Sequence, residues 1–540
     1  MAERHDMKTP EQWLRIFDAS DPASARILSD IYGSDYPGID DKRDMLTRML
    51  RDYRLEFGEE PVFIARAPGR VNILGRHIDH QGGYGNMIAI DKDIYCVAGP
   101  RSDRSIRLRN LDKANFPDRD FEIDSILTNF HGDWKAFVNS SDVLENSRSS
   151  AGDWAQIAKA AIARFQSEFH DKILNGMNIV VAGDIPIASG LSSSSALLVA
   201  IAEAIVGMNG LGIPPQKFAE LCALGEWYVG TRGWAGDHAA MKFGKRGSVA
   251  QLEYYPIHVK RRAQFPDGYR LIICPSGIQA RKTAEVKDVF NHRIACYILG
   301  REMLKREFPE YSPKIKFLRD YNTHHLNISL DRLYEMIGRL PESMDRETVL
   351  AEFSTGDMQQ FKVLGNKVFT NYPVRPVVLF GLAEIERSLM AVELLSRENM
   401  TALGQLMNIS HDGDRVCRLT NDGMMSPFVS DYSDAFMRQQ INNAKRSSEN
   451  AALAQVPGSY SCSISEIDRM VDIALSVPGV MGAQIAGAGL GGCIMVLVKE
   501  GTLESLEKAL IERYFNPEGR TPCIFVCHLT AGSGLLAQGE

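Results

Sequence analysis

Four consecutive serines follow a tight glycine turn in GDIPIASGLSSSSALLVAIAEAI, Gly183–Ile205. A strand-like run, MNIVVAG, leads into the turn, and an apolar helix leads out. The start of such a helix carries free N–H groups and the positive end of the dipole, a setting suited to phosphate. Hydroxyls at Ser192 to Ser195 can add donors or ligate a hard metal ion. No lysine follows the glycines, so this is not a Walker loop. Serine is also a favoured helix cap, so the turn read alone fits a plain capped helix equally well. Upstream, RAPGRVNILGRHIDHQGGYGNMIAI (Arg66–Ile90) packs Arg70, Arg76, His77 and Asp79 between two apolar runs. Such a density of donors and acceptors beside Gly69, Gly75, Gly82 and Gly83 suits a sugar, whose hydroxyls each need a partner at a fixed position. A second glycine-rich turn, GAQIAGAGLGGCIMVLV (Gly482–Val498), precedes a buried strand near the C-terminus.

The elements that must hold these residues follow from periodicity and turn signals. Residues 1 to about 58 are charged and helix-like. From Val62 to about Tyr255, apolar strands alternate with helices such as Trp154–Phe169 and Gln216–Tyr228. Asn146–Gly152 is polar and predicts a surface loop. A second half opens with the strand RLIICPS near Tyr269, followed by long helices over Glu285–Glu307, Val377–Leu395 and Ile464–Ser476.

In this order and spacing, the three segments resemble the three motifs of the GHMP small-molecule kinases. The first is similar to the sugar motif of galactokinases and N-acetylgalactosamine kinases, GRVNLIGEHTDY. Gly225–Pro256 resembles the family's catalytic segment, and LGQLMNISHDGD (Leu403–Asp414) and SYSCSISEIDRMV (Ser459–Val471) match lesser motifs. The likeness runs from about Ala65 to the end. It implies an α+β chain with the two-domain GHMP kinase fold: a ribosomal-protein-S5-like N-terminal domain, a ferredoxin-like C-terminal domain, and the active site in the cleft between them. The expected division is a helical extension over 1–60, an N-terminal kinase domain over 61–262, and a C-terminal domain over 263–540 with an insertion near 309–358.

The resemblance also assigns roles. Asp237 matches the catalytic base, Gly236 before it a sugar-binding position, and Arg70 the arginine contacting base and transferring phosphate. A guanidinium suits that work because it is permanently charged and binds oxyanions bidentately. Ala188, Ser189, Gly190, Leu191, Ser192, Ser193 and Ser194 are expected to wrap the ATP phosphates, with Gly487 and Gly489 in the third motif. Ser194 and Glu226 match the Mg²⁺ ligands. The family prefers Gly where Ala188 stands and Gln where His238 stands. In the sugar pocket His77 and Asp79 are retained, but Arg76 replaces the glutamate that binds the C6 hydroxyl, and Phe290 replaces a sugar-contacting tyrosine. An arginine near C6 would favour a carboxylate, as in galacturonate, and plant galacturonate kinases resemble the HIDHQGG run. Alternatively Arg76 turns to solvent or pairs with an acid such as Asp79, leaving a galactose or arabinose pocket.

Composition fits this class. The chain has 540 residues and a formal charge of −7, with no basic excess for nucleic acid or an anionic membrane. Its first residues lack the apolar core of a signal peptide, and no apolar run is long enough to span a bilayer. The nine cysteines are scattered, as expected for reduced thiols in a cytosolic protein. The expected activity is phosphorylation of the anomeric hydroxyl of a galactose-type sugar by ATP, by a monomer or homodimer. A non-catalytic sugar and ATP sensor is the alternative. A mevalonate-type kinase is disfavoured by His77 and Asp79.

Overall fold

The computed structural model describes residues 7–18, 21–150, 152–187, 189–231, 233, 235–278, 284–353 and 369–537. The first sheet is built on two long strands, β1 (Phe63–Asn72) and β2 (Tyr84–Pro100), paired antiparallel. Their register slips between Pro68 and Gly69, where Pro68 faces Asp93 but Gly69 already faces Ile90. Proline donates no ladder hydrogen bond, so this is a natural place for the irregularity. The far half of β2 pairs with β5 (Met177–Gly183), which lies parallel to β3 (Ser105–Asn110), and β3 pairs with β4 (Arg119–Glu122). The near half of β2 pairs with β6 (Ser248–Glu253), itself paired with β7 (His258–Gln264).

Alternation along these strands assigns the two faces. Ala65, Cys96, Ala98, Ile179 and Val181 point into the main core, under the helices Ala155–Glu168 and Ser193–Asn209. Ile64, Tyr95, Val97, Val180 and Ala182 point to the other face, covered by three N-terminal helices, Pro10–Ile16, Pro22–Tyr32 and Ile39–Phe57. The extension is therefore one layer of the fold: it buries Trp13, Leu28, Leu46, Met49, Leu50 and Tyr53 there. Each such side chain is worth about 1.5–3 kcal/mol before ordering costs.

A polar core holds this layer in place. Lys42, on the third helix, donates to Asp93 at 2.7 Å and to Asp184 at 2.8 Å. Asp184 follows β5 directly, so the extension grips the chain where it enters the glycine–serine turn. Arg66 bonds Asp93 from the other side at 2.6 Å.

The second sheet is antiparallel throughout: β9 (Val480–Ala486), β10 (Cys493–Lys499), β8 (Tyr269–Pro275) and β11 (Phe525–Cys527), in that order. One face (Ile272, Cys274, Ile494, Val496) packs under the helices Ser465–Leu475 and Leu503–Leu510, while the other (Leu271, Ile273, Met495, Leu497) joins the main core. Between β8 and β9, the helices Ala284–Glu307 and Val374–Ser396 organise a further core with the helix Leu330–Gly338.

Two expectations change. Of the loop expected at 146–152, residues 146–149 instead end a helix, Ser141–Ser149, capped by Ser140 on the Val143 N–H, and Ala151 lies outside the described residues; Val143 anchors the helix's apolar side. Nor does the chain stay in its second half after residue 263. β12 (Gly534–Leu535) returns to pair with β1, Ala65 facing Leu535, and Arg66 ties the return through Thr530 and Ala531. All nine cysteines are free thiols. Among the described residues no helix is long and apolar enough to cross a membrane.

Candidate functional site

Arg70 lies on β1 just past the register slip, with Asp237 opposite it in the first turn of the helix Gly236–Phe243. The two form a bidentate pair, Nε to Oδ1 at 2.6 Å and Nη2 to Oδ2 at 2.5 Å. The third guanidinium nitrogen donates to the Gly190 carbonyl at 2.8 Å. One arginine thus links the carboxylate to the glycine–serine turn. Ser192 completes the link, its hydroxyl donating to Asp237 Oδ2 at 2.6 Å. Burial alone would raise the Asp237 carboxyl, but the Arg70 charge and hydrogen bonds, with Ser192, bring it down to about 2. The carboxylate is still one-third exposed, so something entering from solvent can reach it.

The turn is shaped for close approach. Ser192 caps the helix Ser193–Asn209 in a left-handed conformation (φ 61°), and its side chain makes no cap bond because it serves Asp237. The Ser192 side chain therefore does not cap the helix's first N–H groups, and an uncapped helix start is the arrangement that accepts an anion. The third motif packs directly on this turn. A methyl on Gly487 (φ 82°) would lie 3.1 Å from the Gly190 oxygen, and one on Gly190 (φ 83°) 3.2 Å from the Ala486 oxygen. Ser189 is buried beneath, against Gly492, and Leu191 is buried on the core side. Ala188 lies outside the described residues. Gly489 turns against the Cys462 carbonyl rather than against the serines.

Glu226 ends the helix Pro215–Glu226 and is buried. Its Oε1 accepts from the Ser195 hydroxyl at 2.6 Å and lies 3.7 Å from the His238 ring. Ser195, next to the expected metal ligand Ser194, thus bonds Glu226 directly. Among the described residues no cluster of three or more His, Cys, Asp or Glu side chains could hold a metal by itself.

The sugar motif divides in two. Asp79, in a short turn after β1, is about one-third exposed and accepts from His80 Nδ1 at 3.0 Å. Burial would raise its carboxyl, but His80 holds it below the usual range against the opposing charge of Asp237. Phe290 stands beside this turn, its ring 6.0 Å from that of His80. Arg76 and His77 face away, into the second half of the molecule. Arg76 donates to Asp414 at 2.9 Å, to Ser410 at 3.0 Å and to Gln484. His77, left-handed at φ 62°, stacks on Tyr460 at 4.2 Å and approaches Asp414 at 3.4 Å. Asp414 is wholly buried and held ionised by the two: burial pushes its carboxyl up, and the His77 and Arg76 charges pull it far down. Glu384 adds to the clamp, accepting from the Gly75 N–H at 2.7 Å.

Of the two readings of Arg76, the structure fits the one in which it pairs with an internal acid. Its charge is balanced inside the protein, by Asp414 rather than by Asp79 or solvent. His77 likewise supports the motif from behind. Glu384, Gln484 and Asp414 had no role in the sequence reading. Asp414 lay within a quoted motif, but nothing local marks which distant cation it neutralises.

The low Asp237 value carries a pH prediction. A carboxyl held at about 2 is ionised at every pH where the protein would be assayed, and protonates only as pH falls toward that value. At saturating Mg·ATP and acceptor, kcat should stay level between pH 7 and pH 5. An acid limb centred at 5 or above would show that Arg70 does not hold the carboxylate as described.

Residues 51–100 match the galactokinase galactose-binding signature, residues 156–245 the GHMP kinase N-terminal domain, and residues 433–516 the GHMP kinase C-terminal domain. Galactokinase from Chloroflexus aggregans is 28% identical over 497 residues, covering 91% of this chain and 97% of its own. Galactokinase from Saccharomyces cerevisiae is 24% identical over 510 residues, covering 86% and 88%. Lactococcus lactis galactokinase, solved with galactose, superposes with a TM-score of 0.61 at 20% identity, covering 91% of this chain and 99% of its own. The chain thus carries both GHMP kinase domains, with the galactokinase signature in its first strands.

Proposed function

We propose that this protein is a sugar kinase that transfers the γ-phosphoryl group of ATP to the C1 hydroxyl of galactose. The observation that carries the reading is the joint Arg70–Asp237–Ser192 constellation at an uncapped helix start. The helix N-terminus and its serines would receive the phosphates, and Arg70 would neutralise charge on the group in flight. Asp237 would orient the sugar hydroxyl and take its proton. The loose transition state of phosphoryl transfer asks little of the base, so a carboxylate held near 2 can serve by accepting that proton late. Asp79 would bind neighbouring sugar hydroxyls.

The donor set fits Mg²⁺: Glu226 is a buried carboxylate beside the serine hydroxyls of the helix start, its Oε1 accepting from Ser195 at 2.6 Å, and hard oxygens are what that ion takes. Ser194 and Glu226 would hold it together with nucleotide oxygens. Bound there, it would neutralise phosphate charge.

With Arg76 turned inward, the support for an acidic sugar falls away and neutral galactose is the preferred acceptor. Assay of ADP release with galactose, galacturonate, arabinose, N-acetylgalactosamine and glucose tests this. We expect galactose to give the highest kcat/KM. A preference for galacturonate would contradict the pocket as described, and sugar binding without turnover of any acceptor would favour a sensor.

A further inference from the structure

Tyr254 directly follows strand β6 and its ring is buried, yet no hydrogen bond among the described residues reaches its hydroxyl, which faces Gly85 and Gly236. A buried tyrosine usually gives its O–H a partner. The backbone of Tyr254 is well held, its carbonyl accepting from Arg319 at 2.8 Å, so the ring is fixed rather than loose. The hydroxyl lies over two glycines. A methyl at Gly236 would meet it at 2.9 Å, and one at Gly85 would collide with the same oxygen. Gly236 immediately precedes Asp237. The phenol also feels the charges of Asp79, Asp237 and Arg70, which places it among the three groups assigned to sugar and phosphate. A lone phenol beside two carboxylates that are each about one-third exposed is a donor awaiting an acceptor. Neither carboxylate takes the phenol's proton here: Asp237 accepts from Arg70 and Ser192, and Asp79 from His80. A polyhydroxylated ligand supplies what is missing, since a sugar hydroxyl accepts as well as donates.

We propose that Tyr254 is a substrate-contacting residue whose hydroxyl bonds the sugar hydroxyl next to the one phosphorylated. This rests on the reading of the site as a sugar kinase's. With C1 directed at Asp237, that neighbour is the C2 hydroxyl. Tyr254→Phe should leave the melting temperature unchanged, because the hydroxyl has no protein partner to lose. The KM for galactose should rise about threefold to tenfold, the effect of one neutral hydrogen bond, with a smaller change in kcat. Removing the sugar's C2 hydroxyl should then cost Tyr254→Phe less than it costs the wild type by that same factor. A galactose KM unchanged within experimental scatter, while the wild type turns galactose over, overturns the role of Tyr254 and leaves the kinase reading standing. If the wild type turns over no sugar, the kinase reading fails, and equilibrium binding of galactose to both proteins decides the contact. Weaker binding by Tyr254→Phe supports it, and equal or absent binding overturns it.

Discussion

Asp237→Asn should lower kcat by about 10²–10⁴ while changing the sugar KM little. Asparagine keeps the shape and can still accept from Arg70 and Ser192 through its one oxygen. It cannot take a proton, and it removes the negative charge that holds Arg70 in its fork at 2.6 and 2.5 Å. The loss therefore falls on the transition state rather than on sugar binding. Steady-state kinetics with galactose and Mg·ATP, beside a thermal melt confirming the fold, measure it. A folded variant with near wild-type kcat would remove Asp237 from the chemistry.

Arg76→Glu should destabilise the fold by about 3–5 kcal/mol, the cost of breaking a buried ion pair. The new carboxylate would sit against Asp414, which is wholly buried and already close to His77. Like charges without water have no screening, so the clamp between the sugar motif and the helix Met400–Asp414 should open. Whatever folded fraction remains should show the wild-type ranking of galactose over galacturonate, because Arg76 does not reach the ligand. Denaturant melts and the kcat/KM ratio for the two sugars separate the possibilities. Unchanged stability with a shifted ratio would mean that Arg76 faces the sugar after all.

These variants show where sequence reasoning reached and where it stopped. The glycine–serine turn and the main helices were legible because local chemistry fixes them, through a tight glycine turn before an apolar helix and an apolar alternation, whereas Arg70 and Asp237 stood out only through their likeness to the family motifs. The third motif looked weak by itself, and its packing on Gly190 became visible only in three dimensions. Arg76 shows the opposite case. Its residue type suggested an anion and the anion exists, but it is Asp414, far along the chain. The N-terminal layer was hidden for the same reason. Nothing in residues 1–60 reveals that Lys42 meets Asp184 at the entrance to the glycine–serine turn. Long-range pairing of buried charges leaves no periodic trace, whereas apolar faces do.

The most direct measurement is the structure of the product. Incubating the protein with Mg·ATP and galactose and following phosphorus NMR should show ADP and one sugar phosphate appearing in equal amounts. The phosphorus should couple to the anomeric proton, as phosphate on C1 requires. Phosphate coupled to the C6 protons, or ADP formed with free phosphate and no sugar ester, would contradict the placement of the C1 hydroxyl between Asp237 and the phosphate turn.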